Sequence, residues 1–196
     1  MATPKKPRAK KPAEGTTLVK RFDGRSIRQP EALAFLMKQH REVEGYFDEF
    51  EHAEDDKQKT ALVDKICLAL AVHAKIEEEL LYPEAEESIE DPDKVDEAYI
   101  EHATAKDLIA QLEGMKVGDH FYDAKVKVLS EYIAHHVEEE ETELFPQIVR
   151  AKMELTKRGA QLEERSAHLM KQLGGDPSKA STKAKVEAEA ASGAHL

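Results

Sequence analysis

His73-Ala74-Lys75-Ile76-Glu77-Glu78-Glu79-Leu80-Leu81-Tyr82-Pro83 returns, 63 residues later, as His136-Val137-Glu138-Glu139-Glu140-Glu141-Thr142-Glu143-Leu144-Phe145-Pro146. In both copies a Glu follows the His by four residues and a Pro follows it by ten. Each copy is preceded by a further His: His40 lies 33 residues before His73, and His102 lies 34 before His136. On a helix, residues four apart share a face, so His73 and Glu77 project together, as do His136 and Glu140. A duplicated helical hairpin that supplies four His and two Glu carries the ligand list of a two-metal site.

The patterns around these phrases are helical. The first stripe runs from about Glu31 to Ala53 and places Leu33, Leu36, Met37, His40, Val43, Phe47 and Phe50 on one face. The second runs from about Lys57 to Leu81, with Leu62, Ile66, Ala69, Leu70, His73, Ile76, Glu77 and Leu80 inward and Pro83 just past its end. The third, from about Asp93 to Met115, turns Val95, Ala98, Tyr99, His102, Ala105, Ile109 and Leu112 inward. The fourth begins near Phe121 and presents Lys125, Val128, Leu129, Tyr132, His136, Glu140 and Leu144, with Pro146 as its end or a kink. A fifth helix, from about Gln147 to Leu173, repeats Leu155, Leu162 and Leu169 every seven residues; it either lies on the bundle or forms a homodimer with another subunit. Four patterns of about 20 residues with short connections predict an all-α chain, an antiparallel up-down-up-down four-helix bundle. The expected organisation is a disordered basic tail over 1–15, a bundle over 16–150 opened by a lead-in loop at 16–29, a C-terminal helix over 151–175, and a flexible tail over 176–196.

Composition agrees with one helical domain. The chain has 196 residues, 35% of them charged and 40% hydrophobic, and no Trp. No apolar run approaches the ~20 residues that span a bilayer, and no apolar segment follows the basic start, which points to a cytoplasmic protein. The single cysteine, Cys67, cannot form an intrachain disulfide and reads as a small core residue. Residues 1–13 contribute +5 to a net charge of −11, leaving −16 for the rest. The basic tail reads as a solubilising segment, and the acidic body argues against a nucleic-acid partner.

A carboxylate in a bundle core costs several kcal/mol unless it is paired or bound to metal. Imidazole with carboxylate suits iron, manganese or zinc. Two metals could each take two His, share both Glu, and keep a position open for a small molecule. Glu78, Glu79, Glu138, Glu139 and Glu141 read as solvated charges, His52, His120, His168 and His195 lie off the stripes or in loops, and His135 points away from His136.

With these residues in place, the chain resembles the hemerythrin-like family, the HHE cation-binding domain, over roughly Ile27 to Arg150. The resemblance implies a non-haem di-iron centre, two iron ions with an oxo or hydroxo bridge, in a four-helix bundle. It implies that His40, His73, His102 and His136 are terminal ligands and that Glu77 and Glu140 are bridges. It further implies a protein that binds, senses or processes oxygen, peroxide or nitric oxide; an iron-responsive sensing or storage protein acting through a partner is the alternative. Oxygen-carrying hemerythrins have a second His four residues after the third helix's ligand, where this chain has Lys106, which weighs against reversible oxygen carriage. Glu44, four residues after His40, could be a further ligand, an acceptor for an imidazole N–H, or a partner for Lys106. Tyr99 and Tyr132, each one turn before a ligand His, read as pocket packing.

Overall fold

The computed structural model describes residues 15–174. The four apolar stripes fold as the four long helices of a bundle, and the His residues sit near their middles. α1 (Glu31–Glu51) starts directly after Pro30, whose fixed φ suits the entry to a helix. α2 (Asp56–Ile76) is N-capped by Asp55, whose carboxylate accepts the Gln58 N–H at 2.8 Å. α4 (Asp93–Glu113) and α5 (Tyr122–Glu139) form the second hairpin. α1 packs on α2, α4 packs on α5, and the two hairpins close on each other through α1 with α5 and α2 with α4.

Both repeated phrases leave α-geometry at the Glu. A five-residue π-helical segment spans Glu77–Leu81, and another spans Glu140–Leu144. The helix then resumes as α3 (Tyr82–Ser88) and α6 (Phe145–Ala151). Pro83 and Pro146 therefore do not end their helices. Each falls in the first turn of the resumed helix, where a missing N–H costs no hydrogen bond. The chain breaks after Ala151, where Lys152 takes the left-handed conformation (φ 59°), so the fifth helix is α7 (Leu155–Leu173) and begins later than Gln147.

Residues 16–29 are more than a lead-in loop. β1 (Thr16–Lys20) and β2 (Ser26–Pro30) pair antiparallel, Thr16 opposite Pro30 and Lys20 opposite Ser26. Gly24 supplies the positive φ (78°) that the turn needs. On α5 the inward stripe is Val126, Leu129, Ile133, His136 and Val137; Val128, expected inward, is 50% exposed.

The apolar core lies in two layers on either side of the His residues. One contains Leu33, Leu36, Met37, Ile76, Leu81, Tyr82 and Phe145; the other contains Val43, Phe47, Leu70, Ile109, Leu129 and Ile133. Cys67 belongs to the second layer, and burial pushes its thiol up to about 12. The Leu heptads of α7 are used within the chain: Leu155, Leu162, Leu169 and Leu173 join the first layer, against α1 and α2. Gly159 allows the close approach, since a Cβ there would lie 3.0 Å from the Ala32 nitrogen. Among the described residues no helix is long and apolar enough to cross a membrane. The expected tails, apart from Gly15, lie outside the described residues.

Candidate metal centre

His40, His73, Glu77, His102, His136 and Glu140 are all buried, and they meet in the middle of the bundle. The imidazoles form two pairs. His40 and His73, from the first hairpin, bring their Nε2 atoms to 3.0 Å, and His102 and His136, from the second, bring theirs to 3.2 Å. Two nitrogens bound to one ion at ~2.1 Å and at right angles would be ~3.0 Å apart. The two Glu stand between the pairs. Glu77 Oε2 lies 3.2 Å from His73 Nε2 and 3.5 Å from His102 Nε2. Glu140 Oε2 lies 3.4 Å from His40 Nε2 and 3.7 Å from His136 Nε2. Each carboxylate thus touches one His of each pair.

Every other ring nitrogen is held by a protein group. His40 Nδ1–H donates to Glu141 at 3.0 Å, His73 to the Gln39 side-chain carbonyl at 2.8 Å, His102 to Glu78 at 3.0 Å and His136 to Glu101 at 2.6 Å. Such bonds fix the ring and turn the Nε2 lone pair inward. The pattern follows the duplication. The residue before each single His (Gln39, Glu101) holds the other imidazole of its own hairpin. The residue after each central Glu (Glu78, Glu141) holds an imidazole of the opposite hairpin.

This corrects the reading of Glu78 and Glu141 as solvated charges. Glu141 is 2% exposed and also accepts from Arg41 at 2.9 Å and from the Phe22 backbone N–H at 2.8 Å. The β-hairpin thereby braces the carboxylate that orients His40. Glu78 is paired with Lys106 at 2.5 Å. Glu44 touches no imidazole and no Lys106; it lies at the surface in an ion pair with Arg41 at 2.8 Å. His135 is exposed beside Glu139. Tyr99 packs edge-on against Tyr82, with ring centroids 5.2 Å apart. The phenol that enters the site is Tyr82 itself: its hydroxyl donates to Glu140 Oε1 at 2.8 Å and lies 3.3 Å from His102 Nε2. A π segment adds one residue to the helix, so everything after it rotates by about one position (~100°). The wider turn buries Leu81 in place of the expected Leu80 and takes Glu141 inward, and the rotation after it buries Tyr82 and Phe145. An Asp23-Gly24 turn between short alternating runs was the available signal for the hairpin.

The electrostatics fit a cation. Both oxygens of Glu77 and Oε2 of Glu140 are buried with no hydrogen-bond donor. Burial and the Glu140 charge push Glu77 well above the usual carboxylate range. Burial would raise Glu140 too, but His136 and His40 outweigh it and hold that carboxyl low. Burial and the neighbouring His40 push His73 well below its ordinary value; burial would lower His40 too, but Glu140 and Glu141 outweigh it and raise that imidazole. Three orphaned carboxylate oxygens facing four inward imidazole nitrogens form a donor set for imidazole- and carboxylate-binding metals. Beside it is a cavity of about 30 Å³ lined by the four His, by Val43, Leu70, Ile109 and Ile133, and by Gln39 and Lys106.

A family model described as the hemerythrin HHE cation binding domain matches residues 31–148. The chain belongs to the hemerythrin HHE family. The crystal structure of a hemerythrin HHE cation binding domain-containing protein from Mycobacterium kansasii superposes on this HHE chain with a TM-score of 0.64. The two share 22% identity, over 76% of this chain and 95% of the other. A curated protein from Nostoc sp., described as a DNA nickase, is 28% identical over 109 residues. That match covers 56% of this HHE chain and 31% of the relative's length.

Proposed function

We propose that this HHE protein is a non-haem di-iron protein, cytoplasmic, that binds, senses or processes oxygen, peroxide or nitric oxide. The observation that carries the reading is the placement of Glu77 and Glu140, each between one His of either pair, with three of their four oxygens lacking a donor. His40, His73 and Glu140 with Glu77 would hold one ion; His102, His136 and the same two carboxylates would hold the other. The pair would supply electrons and Lewis acidity to a small oxidant.

The protein's own groups limit what reaches that position. The ~30 Å³ cavity holds one or two water-sized molecules, which suits a diatomic or peroxide. Val43, Leu70, Ile109 and Ile133 line it and keep its dielectric low, which strengthens the field of the charged groups. The Tyr82 hydroxyl holds a proton at Glu140 Oε1, within 3.3 Å of His102 Nε2. Burial and the Glu140 charge push the phenol well above its ordinary range, so it stays protonated and acts as a fixed hydrogen-bond donor beside the centre.

The test is metal analysis of the purified protein with titration of its reduced form. About two irons per chain and near-ultraviolet absorption are expected, and both should disappear in a His73→Ala plus His136→Ala variant. Sustained turnover of peroxide or nitric oxide identifies an enzyme; a stoichiometric, reversible spectral change identifies a binding or sensing protein. The alternative, an iron-responsive protein that acts on a partner, is favoured by one contact: α7 reaches the centre through Ser166 and Gln39 to His73. It predicts that iron removal alters partner binding without any turnover. DNA nicking is not extended to this chain, whose net charge of −11 opposes a duplex-binding face.

A further inference from the structure

The two halves of the centre each turn two imidazoles inward beside the central carboxylates, with Glu140 nearer to His40 (3.4 Å) than to His136 (3.7 Å), and they differ in what holds the imidazoles. In the second hairpin both imidazoles donate to carboxylates, His102 to Glu78 and His136 to Glu101. In the first, His40 donates to Glu141, but His73 donates to the neutral amide of Gln39. The position is equivalent to Glu101, since each directly precedes its hairpin's first His. The amide is held in this orientation by α7: Gln39 Nε2 donates to the Ser166 hydroxyl oxygen at 3.1 Å, and Ser166 is buried. Glu141 and Glu78 each carry a cation, Arg41 and Lys106, so among the four groups that accept an imidazole N–H the unmatched pair is the neutral Gln39 against the carboxylate of Glu101.

We propose, resting on the metal reading above, that the two ion positions are unequal by construction. The position between His102 and His136 binds its ion more tightly and fills first. The position between His40 and His73 fills second and releases its ion first, with Gln39 and Ser166 as positioning residues. A carboxylate accepting the imidazole N–H raises the basicity of the coordinating nitrogen, and losing such a partner changes metal affinity by about 10–100-fold. Two ions that share carboxylates also repel each other, which separates the steps even in a symmetric site. The substitutions distinguish the two causes.

The experiment is anaerobic calorimetric titration of the metal-free, full-length protein with Fe(II) or Mn(II) alone. Two steps are expected. Gln39→Glu should tighten the weaker step by about 10-fold or more and narrow the gap, because Ser166 can turn its hydroxyl to donate to the new carboxylate. A gain of affinity is not an effect that damage to the fold produces. Glu101→Gln should weaken the stronger step and narrow the gap from the other side. Ser166→Ala should weaken the second step only, and circular dichroism should confirm that each variant is folded. His73→Ala should remove the weaker step and His136→Ala the stronger. A gap unchanged in both Gln39→Glu and Glu101→Gln assigns it to ion–ion repulsion and overturns the proposal while leaving the metal reading intact. Binding of no ion by the wild type overturns both.

Discussion

The α1–α2 hairpin and the α4–α5 hairpin carry the same donors at nearly the same offsets, yet they are built differently around them. The first hairpin is covered: α7 packs on α1 and α2, and the β-hairpin packs on α1. The second is less covered: the β-hairpin meets it where the Phe22 backbone N–H reaches Glu141, and Glu101 lies toward the surface beside His135. The repeated phrases differ in the aromatic that follows the π segment. Tyr82 stacks on His102 and donates to Glu140, whereas Phe145 stacks on His40 and has no hydroxyl to give Glu77. Duplication supplies the inward His and Glu, and the departures from it give the two halves different surroundings.

The strongest way to break the comparison is to remove what both halves share. Glu77→Ala with Glu140→Ala should reduce bound metal from about two ions per chain to nearly none, by elemental analysis. Glu77→Gln alone should also lower metal binding, yet leave the thermal stability of the metal-free protein close to that of the wild type, because burial and the Glu140 charge already push the Glu77 carboxyl well above the usual range and favour its neutral form.

A second substitution tests the cover on the first half. Leu162 of α7 is fully buried in the core layer shared with α1. Leu162→Ala should cost about 2–5 kcal/mol in urea unfolding, and the protein should lose its more weakly held ion before the other. Loss of both ions together would mean that α7 supports the whole bundle and not one half.

Tyr82→Phe makes the two phrases alike. It leaves Glu140 Oε1 without its donor at full burial, which should lower the stability of the metal-free protein by about 1–3 kcal/mol. An unchanged melting temperature would show that Glu140 finds another donor.

The smallest effect concerns the tie between α7 and the first π segment. Glu79 accepts from Arg165 at 2.8 Å and from Lys75 at 3.1 Å. Burial raises the Glu79 carboxyl, but these two cations outweigh burial and hold it below its ordinary value of 4.5. A depressed folded value stabilises above the ordinary range and is lost as pH falls through the depressed value. The wild type should therefore lose up to about 1 kcal/mol relative to Arg165→Ala as pH drops below 4.5, a small amount because the pair is partly exposed.

Legibility followed periodicity. The helices, the inward His and the two central Glu were readable because a 3.6-residue period holds up to the π segments. The misreadings cluster within them and at the residue that follows. Glu78 and Glu141 looked solvated, Leu80 looked buried and Tyr82 passed unnoticed, because each π segment adds a residue that no local pattern announces. Gln39 and Glu101 lie before the π segments and were missed for another reason. They sit beside the apolar stripe, and only the packing of the neighbouring helix shows that an imidazole N–H reaches them. Glu44 attracted notice through its spacing from His40, but spacing on one helix does not say which side meets the other hairpin.

By itself the sequence determined the bundle, its duplication and the six inward donors, since these depend on which residues share a helical face. Only the tertiary structure decided which group holds each imidazole, that α7 and the β-hairpin brace the first half, and that Tyr82 enters the site. Those are contacts between elements distant in sequence, and their register is set by the two π segments and by close packing, which leave no period to read.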